Sequence, residues 1–394
     1  METQSSYSSL DFLISTRREA MHLAPVIHAF RKLSGAKTRL VSLQSSQKDL
    51  NEVLHSLSLR ADIQWGIRGT EPNSGTYLGE INMLMSELWS RGKPDWLFSF
   101  GHGDIAFAVS SAAFQNKIPI AHIEDINHLP KSWFSSPHIQ RSHKSISILS
   151  DLLFTSSVQA RNRLVHDGVK EEFIFSVGST IRESGTIILE NLCANEQLAT
   201  LSRDCSDATR QRISAGRFIL VDIQNPESVN RFVEVLPSVM EENPDMTPIF
   251  QSNDNIVFES ISRHPLFRDS SKIFKPKHMQ RCALIYKSAC VMTDNDDVLE
   301  ECSAFDTKGI LLADNTDRVD IISSGSASIA AIRAELLARQ IRAIVNERSS
   351  QKEKTGSSPI GQYPTAAKIV EAITSRTSEI ARKERRELLS RQAG

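Results

Sequence analysis

The sequence lacks most of the features that allow a rapid assignment. Its five cysteines (Cys193, Cys205, Cys282, Cys290 and Cys302) form no CxxC pair and have no histidine at metal-ligand spacing. An odd number scattered through 394 residues argues against a disulfide framework and implies mostly buried, reduced thiols. Neither sign of charge is in excess, with 46 Lys plus Arg against 47 Asp plus Glu. Such a chain has no global field for gathering nucleic acid or an anionic membrane, and neither is expected as a partner. No window approaches the roughly 20 apolar residues that span a bilayer. Met1 to Leu10 is polar and Ser-rich, without the charged-then-apolar build of a signal peptide, so a cytoplasmic location is expected.

What is present is ordinary in amount and regular in order. Apolar residues make up 40% and charged residues 24%, as in a soluble globular protein. The length exceeds what one hydrophobic core usually serves, which predicts two domains. Short β-branched and aromatic runs alternate with helical stretches: strands at Leu10–Ser15, Arg39–Leu43, Trp96–Phe100, Ile118–Ile123, Leu152–Thr155 and Phe173–Val177. The intervening helices include Glu19–Leu33, Ile105–Phe114 and Val158–His166. The pattern fades over 191–216, read here as a linker, and restarts with strands at Phe218–Asp222, Thr247–Phe250, Lys272–Phe274, Cys290–Thr293 and Gly309–Leu312. Arg348–Tyr363 is polar with Gly and Pro and reads as a surface loop, followed by a final helix over about Thr365–Leu389. The expectation is an α/β fold of two doubly wound Rossmann-like domains facing a central cleft. They would cover 1–190 and 217–363, with the terminal helix of 364–394 packing back across them.

In such sheets ligands sit beyond the carboxyl ends of the strands, so chemistry is sought there. Ser15-Thr16-Arg17-Arg18-Glu19-Ala20, continuing to Leu23-Ala24-Pro25, resembles the GTRPEA…MAP opening of the non-hydrolysing UDP-N-acetylglucosamine 2-epimerase family, which has the glycosyltransferase-B architecture. Pro94-Asp95 with Gly101-His102-Gly103-Asp104 is similar to its PD…VHGD segment, and Ile118 to Glu124 to its IPVGHVEAG segment. Thr293-Asp294 with Glu300-Glu301 resembles TDSGGxQEE, Asp317-Arg318 the ERPE turn, and Ser358 to Gly361 the NPYG loop. The motifs run in order along nearly the whole chain.

The resemblance implies removal and return of the proton at C2 of the sugar with transient loss of UDP, without metal or nicotinamide cofactor. It implies Asp104 and Glu124 as acid/base carboxylates, Arg17 at the nucleotide end, Glu301 on the ribose hydroxyls and Arg318 as a phosphate partner. It also implies a homodimer acting on a sugar nucleotide. Read by themselves, Asp104 serves equally well as a helix cap, and Glu19 is better explained as a first-turn residue favouring the helix dipole. His102 and His122 read as satisfied structural histidines. Glu124 has no evident capping role.

Four departures bear on the chemistry. The family's PEExNR segment supplies a carboxylate, yet Pro137 to His143 holds none, and no Asp or Glu occurs from Lys131 to Ser150. Gln224 stands where the family has a catalytic histidine, and glutamine cannot shuttle a proton. His22 replaces a lysine. Asn295-Asp296-Asp297 replaces Ser-Gly-Gly at the phosphate-binding helix, placing negative charge where a diphosphate would approach. Two alternatives to a divergent epimerase-like enzyme follow: a catalytically inactive subunit serving interaction or regulation, for instance in complex with an active relative, or an enzyme for a substrate without a diphosphate.

Overall fold

The first strand, β1 (Ser9–Ile14), feeds a helix, α1 (Arg17–Arg31), whose start is written in three residues. Thr16 accepts from the Glu19 backbone, and the Glu19 carboxylate reaches back to the backbone and hydroxyl of Ser15 and the backbone of Thr16, forming a capping box. The same strand-then-helix unit recurs throughout a computed structural model that describes residues 9–44, 47–66, 75–125, 137–203, 205–252, 255–263, 273–313, 319–330, 333–354 and 364–392.

After α1 come β2 (Lys37–Gln44), α2 (Gln47–Ser56), β3 (Ile63–Gly66), α3 (Gly75–Ser90), β4 (Trp96–Phe100), α4 (Asp104–Gln115) and β5 (Ile120–Ile123). Then follow α5 (Pro137–Leu149), β6 (Leu152–Thr155), α6 (Val158–His166) and β7 (Ile174–Ser176). The seven strands are all parallel in the order β3-β2-β1-β4-β5-β6-β7, the doubly wound arrangement. Phe12, Phe30 and Phe98 fill one face, with Phe12 and Phe98 stacked at 4.6 Å between ring centroids. Asp11, buried in mid-strand, is matched by a forked Arg39 contact at 2.8 and 2.6 Å and by the Trp89 indole at 2.9 Å.

The second compact unit takes Ser56–Ser58 and Ile181–Gln362. It holds α7 (Ile181–Asn191), α8 (Ala194–Leu201), α9 (Asp207–Ser214), β8 (Phe218–Asp222), α10 (Pro226–Glu242), β9 (Thr247–Gln251) and α11 (Asn255–Arg263). It continues through β10 (Ile273–Phe274), α12 (His278–Lys287), β11 (Cys290–Thr293), α13 (Asp296–Ala304) and β12 (Gly309–Leu311). It closes with α14 (Val319–Ser323), β13 (Ala327–Ile329) and α15 (Ala334–Lys354). Its six parallel strands run β10-β9-β8-β11-β12-β13. Here α7 lies so close to α13 that a Cβ on Gly185 would stand 1.8 Å from the Ala304 carbonyl oxygen, so only glycine fits. The last helix, α16 (Thr365–Gln392), belongs to the first unit and packs on α1.

Two readings of the sequence are corrected. The stretch read as a linker over 191–216 is helical in α8 and α9, with Ser206 capping the latter and Leu198 and Ile213 buried; few apolar residues suffice for two-turn helices lying on a larger body. The surface loop begun at Arg348 is instead the end of α15 as far as Lys354, and 355–363 lie outside the described residues. Arg348 is held there by hydrogen bonds to the Tyr286 and Ala289 carbonyls, which its polarity concealed.

Candidate functional site

In both sheets the order of strands reverses about the strand that comes first in sequence, between β1 and β4 and between β8 and β11. The carboxyl ends of these strands carry most of the candidate residues.

In the first unit, Gly101 follows β4 with φ of +79°, a left-handed turn that redirects the chain into His102, Gly103 and α4. Asp104 is the first helical residue and Gly103 the N-cap, so Asp104 complements the helix dipole rather than capping the helix. One strand over, His122 is the penultimate residue of β5, and Glu124 directly after the strand stays pinned to the sheet by its backbone N–H on the Phe154 carbonyl at 2.8 Å. Its carboxylate is buried and held by both oxygens: His143 Nε2 lies 2.7 Å from Oε2, and Ser147 Oγ donates to Oε1 at 2.9 Å. His122 Nε2 stands 3.9 Å from Oε1. Burial alone would push the Glu124 carboxyl up, but the neighbouring histidines and the hydrogen bonds from His143 and Ser147 outweigh it and hold the carboxyl below its usual value.

Burial acts on two of the nearby histidines. His102 and His122 are each pushed down from 6.5 to about 4. His122 Nδ1 contacts the Ser99 hydroxyl at 2.8 Å, whereas His122 Nε2 and His102 Nδ1 are buried without a hydrogen-bond partner. His102 Nδ1 thus lacks the partner expected of a structural histidine, while His122 has the Ser99 hydroxyl. Arg18 makes a forked ion pair with Asp125 at 2.6 and 2.7 Å, and Asp125 Oδ2 stands 4.0 Å from His102 Nδ1. Arg18 also lies over the Phe100 ring, on which His22 stacks at 4.3 Å. His22 is thereby buried, its Nδ1 3.2 Å from Thr180 Oγ1; because that hydroxyl donates to the His22 carbonyl, the ring nitrogen is the donor. Arg17 opens α1, half-buried.

The second unit is organised differently. Asp222 ends β8 fully buried, accepts from Gln251 Nε2 at 2.6 Å and pairs with Arg281 of α12. Arg281 Nε donates at 2.9 Å to Glu301 of α13. Burial would lower the Arg281 pKa, but Asp222 and Glu301 outweigh it, so this cation is permanent. Past β11, Asp294 accepts the backbone N–H groups of Gln224 and Asn225 at 2.9 and 2.8 Å. Asn295 caps α13 through the Asp297 N–H at 2.8 Å, donates to Gln224 Oε1 at 2.6 Å, and gives its own N–H to Thr293 Oγ1. Asp296 and Asp297 occupy the first turn, half-buried. Four backbone donors that could greet an anion are thus engaged by the chain's own oxygens.

The structure therefore gathers His22, His102 and Glu124 in one unit, and Gln224, Asn295, Asp296, Asp297 and Glu301 in the other. Arg318 and Ser358 to Gly361 lie outside the described residues. Sequence reasoning missed His143, Ser147, Asp125 and Arg281. His143 had a signal: it falls four residues after Ile139 and three before Ile146, on the apolar stripe of α5. Among the described residues no cluster of His, Cys, Asp or Glu is arranged to hold a metal, and no helix is long and apolar enough to cross a membrane.

Two parallel-sheet Rossmann-like units, with polar side chains gathered at their strand ends, define the glycosyltransferase-B class of fold. Comparison narrows the class. The family model described as UDP-N-acetylglucosamine 2-epimerase matches residues 38–374, and the chain belongs to that family. The UDP-N-acetylglucosamine 2-epimerase of Bacillus subtilis is 21% identical over 371 residues, covering 92% of this chain and 93% of that protein. The crystal structure of the Neisseria meningitidis UDP-GlcNAc 2-epimerase bound to UDP-GlcNAc superposes with a TM-score of 0.74 at 18% identity, covering 93% of this chain and all of that one. The Methanocaldococcus jannaschii enzyme gives 0.75 at 21% identity, over 93% and 99%.

Proposed function

We propose that the chain acts on a sugar nucleotide of the UDP-N-acetylglucosamine class, with Glu124 as the principal carboxylate and Asp104 as its acid/base partner. The observation that carries this reading is Glu124 itself, a buried carboxylate at a strand end, hydrogen-bonded through both oxygens to His143 and Ser147. Burying a carboxylate is costly unless it is paired and hydrogen-bonded, and one held in this way at a strand end, without an arginine or lysine partner among the described residues, is a candidate for function. The decisive measurement is NMR of UDP-N-acetylglucosamine in deuterated water with the purified protein. Expected are deuterium at C2, inversion, or release of UDP, each reduced at least about a hundredfold by Glu124→Gln. No turnover, together with no UDP binding by titration calorimetry with and without magnesium, would overturn it. On the same reading the protein is a cytoplasmic homodimer, which light scattering would check.

The four engaged N–H donors and the acidic first turn of α13 favour a second reading, in which the ligand carries no diphosphate at this helix or the chain is a non-catalytic partner of an active relative. Binding of unphosphorylated sugars or amines in preference to UDP would select the former, and co-purification with a relative the latter.

A further inference from the structure

The segment that lacks the expected carboxylate is not chemically empty. Helix α5 presents His143 and Ser147, one turn apart, to the two oxygens of Glu124. Ser147 also lies 3.0 Å from the His143 carbonyl, which ties the pair to one turn of helix. An ionised carboxylate is an acceptor only, so the hydrogen in the 2.7 Å contact belongs to His143 Nε2. A second carboxylate at this place would repel Glu124 and favour its protonated form. A histidine donor does the opposite.

We propose that His143 is a positioning residue for Glu124, holding it ionised and fixed in orientation from α5 where the family pattern has an acid. This deepens the reading of Glu124 as the working carboxylate and rests on it. Among the described residues, the charged or titratable groups facing Glu124 are His143 of α5, His122 of β5 and, after β4, His102; Asp125 beside it is neutralised by Arg18 of α1. Of these, only His143 makes a hydrogen bond to the carboxylate.

The test titrates the Glu124 side-chain carbon by NMR in the full chain carrying carbon-13 glutamate, with Glu124→Gln assigning the signal. Replacing His143 by leucine (H143L) should move the Glu124 midpoint upward by about one pH unit or more, a tenfold change in its ionisation. H143Q, which keeps a donor, should move it less, and S147A should move it in the same direction. An unmoved midpoint in folded H143L, or in H143Q and S147A if H143L does not fold, overturns the proposal. In turnover of UDP-N-acetylglucosamine, the acid limb of kcat/KM should move with that midpoint; a limb that stays while the midpoint moves overturns the positioning role. If the wild-type chain turns over no sugar nucleotide, the functional reading fails, while the titration still decides the role of His143.

Discussion

The two units place polar groups at equivalent strand ends but balance charge in different ways. In the first, one ionised carboxylate is set among histidines that burial keeps neutral, and two ring nitrogens have no hydrogen-bond partner. In the second, a permanent cation is locked between two carboxylates, and the neighbouring backbone donors are closed by Asp294, Asn295 and Thr293. The first can change its charge by proton uptake as pH falls toward about 4; the second cannot. A site that must exchange protons with a ligand needs the former design, whereas the latter holds a shape.

The comparison is broken or sharpened most strongly by pH. His102 and His122 bind protons more weakly folded, at about 4, than unfolded, near 6.5. As pH falls the unfolded chain takes up these protons first, so stability is full above about pH 6.5 and is lost progressively down to about pH 4. The loss is on the order of 3 kcal/mol for each histidine. It should appear in the first unit alone. Trp65, Trp89 and Trp96 lie in that unit and the second holds no tryptophan, so urea unfolding followed by fluorescence reads it selectively. A fluorescence midpoint that is flat from pH 7 to 4.5 would contradict the neutral burial of both rings.

The next largest effect belongs to the other unit. Replacing Arg281 by methionine keeps much of its volume but strands Asp222 and Glu301 in the interior, which should cost about 3–5 kcal/mol. Circular dichroism should show the second unit unfolding early while the fluorescence transition is unchanged. A loss below about 1 kcal/mol would mean that these carboxylates are solvated, as surface pairs are.

Much of this contrast was legible in the sequence, and the remainder was hidden for identifiable reasons. Strands such as Trp96–Phe100, Leu152–Thr155 and Cys290–Thr293 stand out because buried parallel strands are nearly continuous apolar runs. The short edge strands β3 and β13 are only half buried and left no such run. Glu124 stood out because no local role explains it. His143 and Arg281 did not, because each meets its partner across 19 or 20 residues of chain and only the packing of separate elements brings them together. The substitutions at Gln224 and Asn295 were visible, but their mutual hydrogen bond, which makes them one device, was not.

The smallest of these effects asks whether the second unit's closure is chemical or merely local. Asp296 and Asp297 are half-buried, and a unit charge about 4 Å from a phosphate would cost roughly 4 kcal/mol at an effective dielectric near 20. Solvent reaches both side chains, so the recoverable part is smaller. Replacing Asp296 by serine and Asp297 by glycine should strengthen UDP binding about tenfold, near 1.4 kcal/mol, as read by calorimetry at fixed ionic strength. Asn295 would still cap the Asp297 position, so its change to serine in the same background should add little unless the Gln224 contact also holds the loop closed. If the double variant binds UDP no better than the wild type, charge is not what closes this helix, and the contrast between the units reduces to their buried ion pairs.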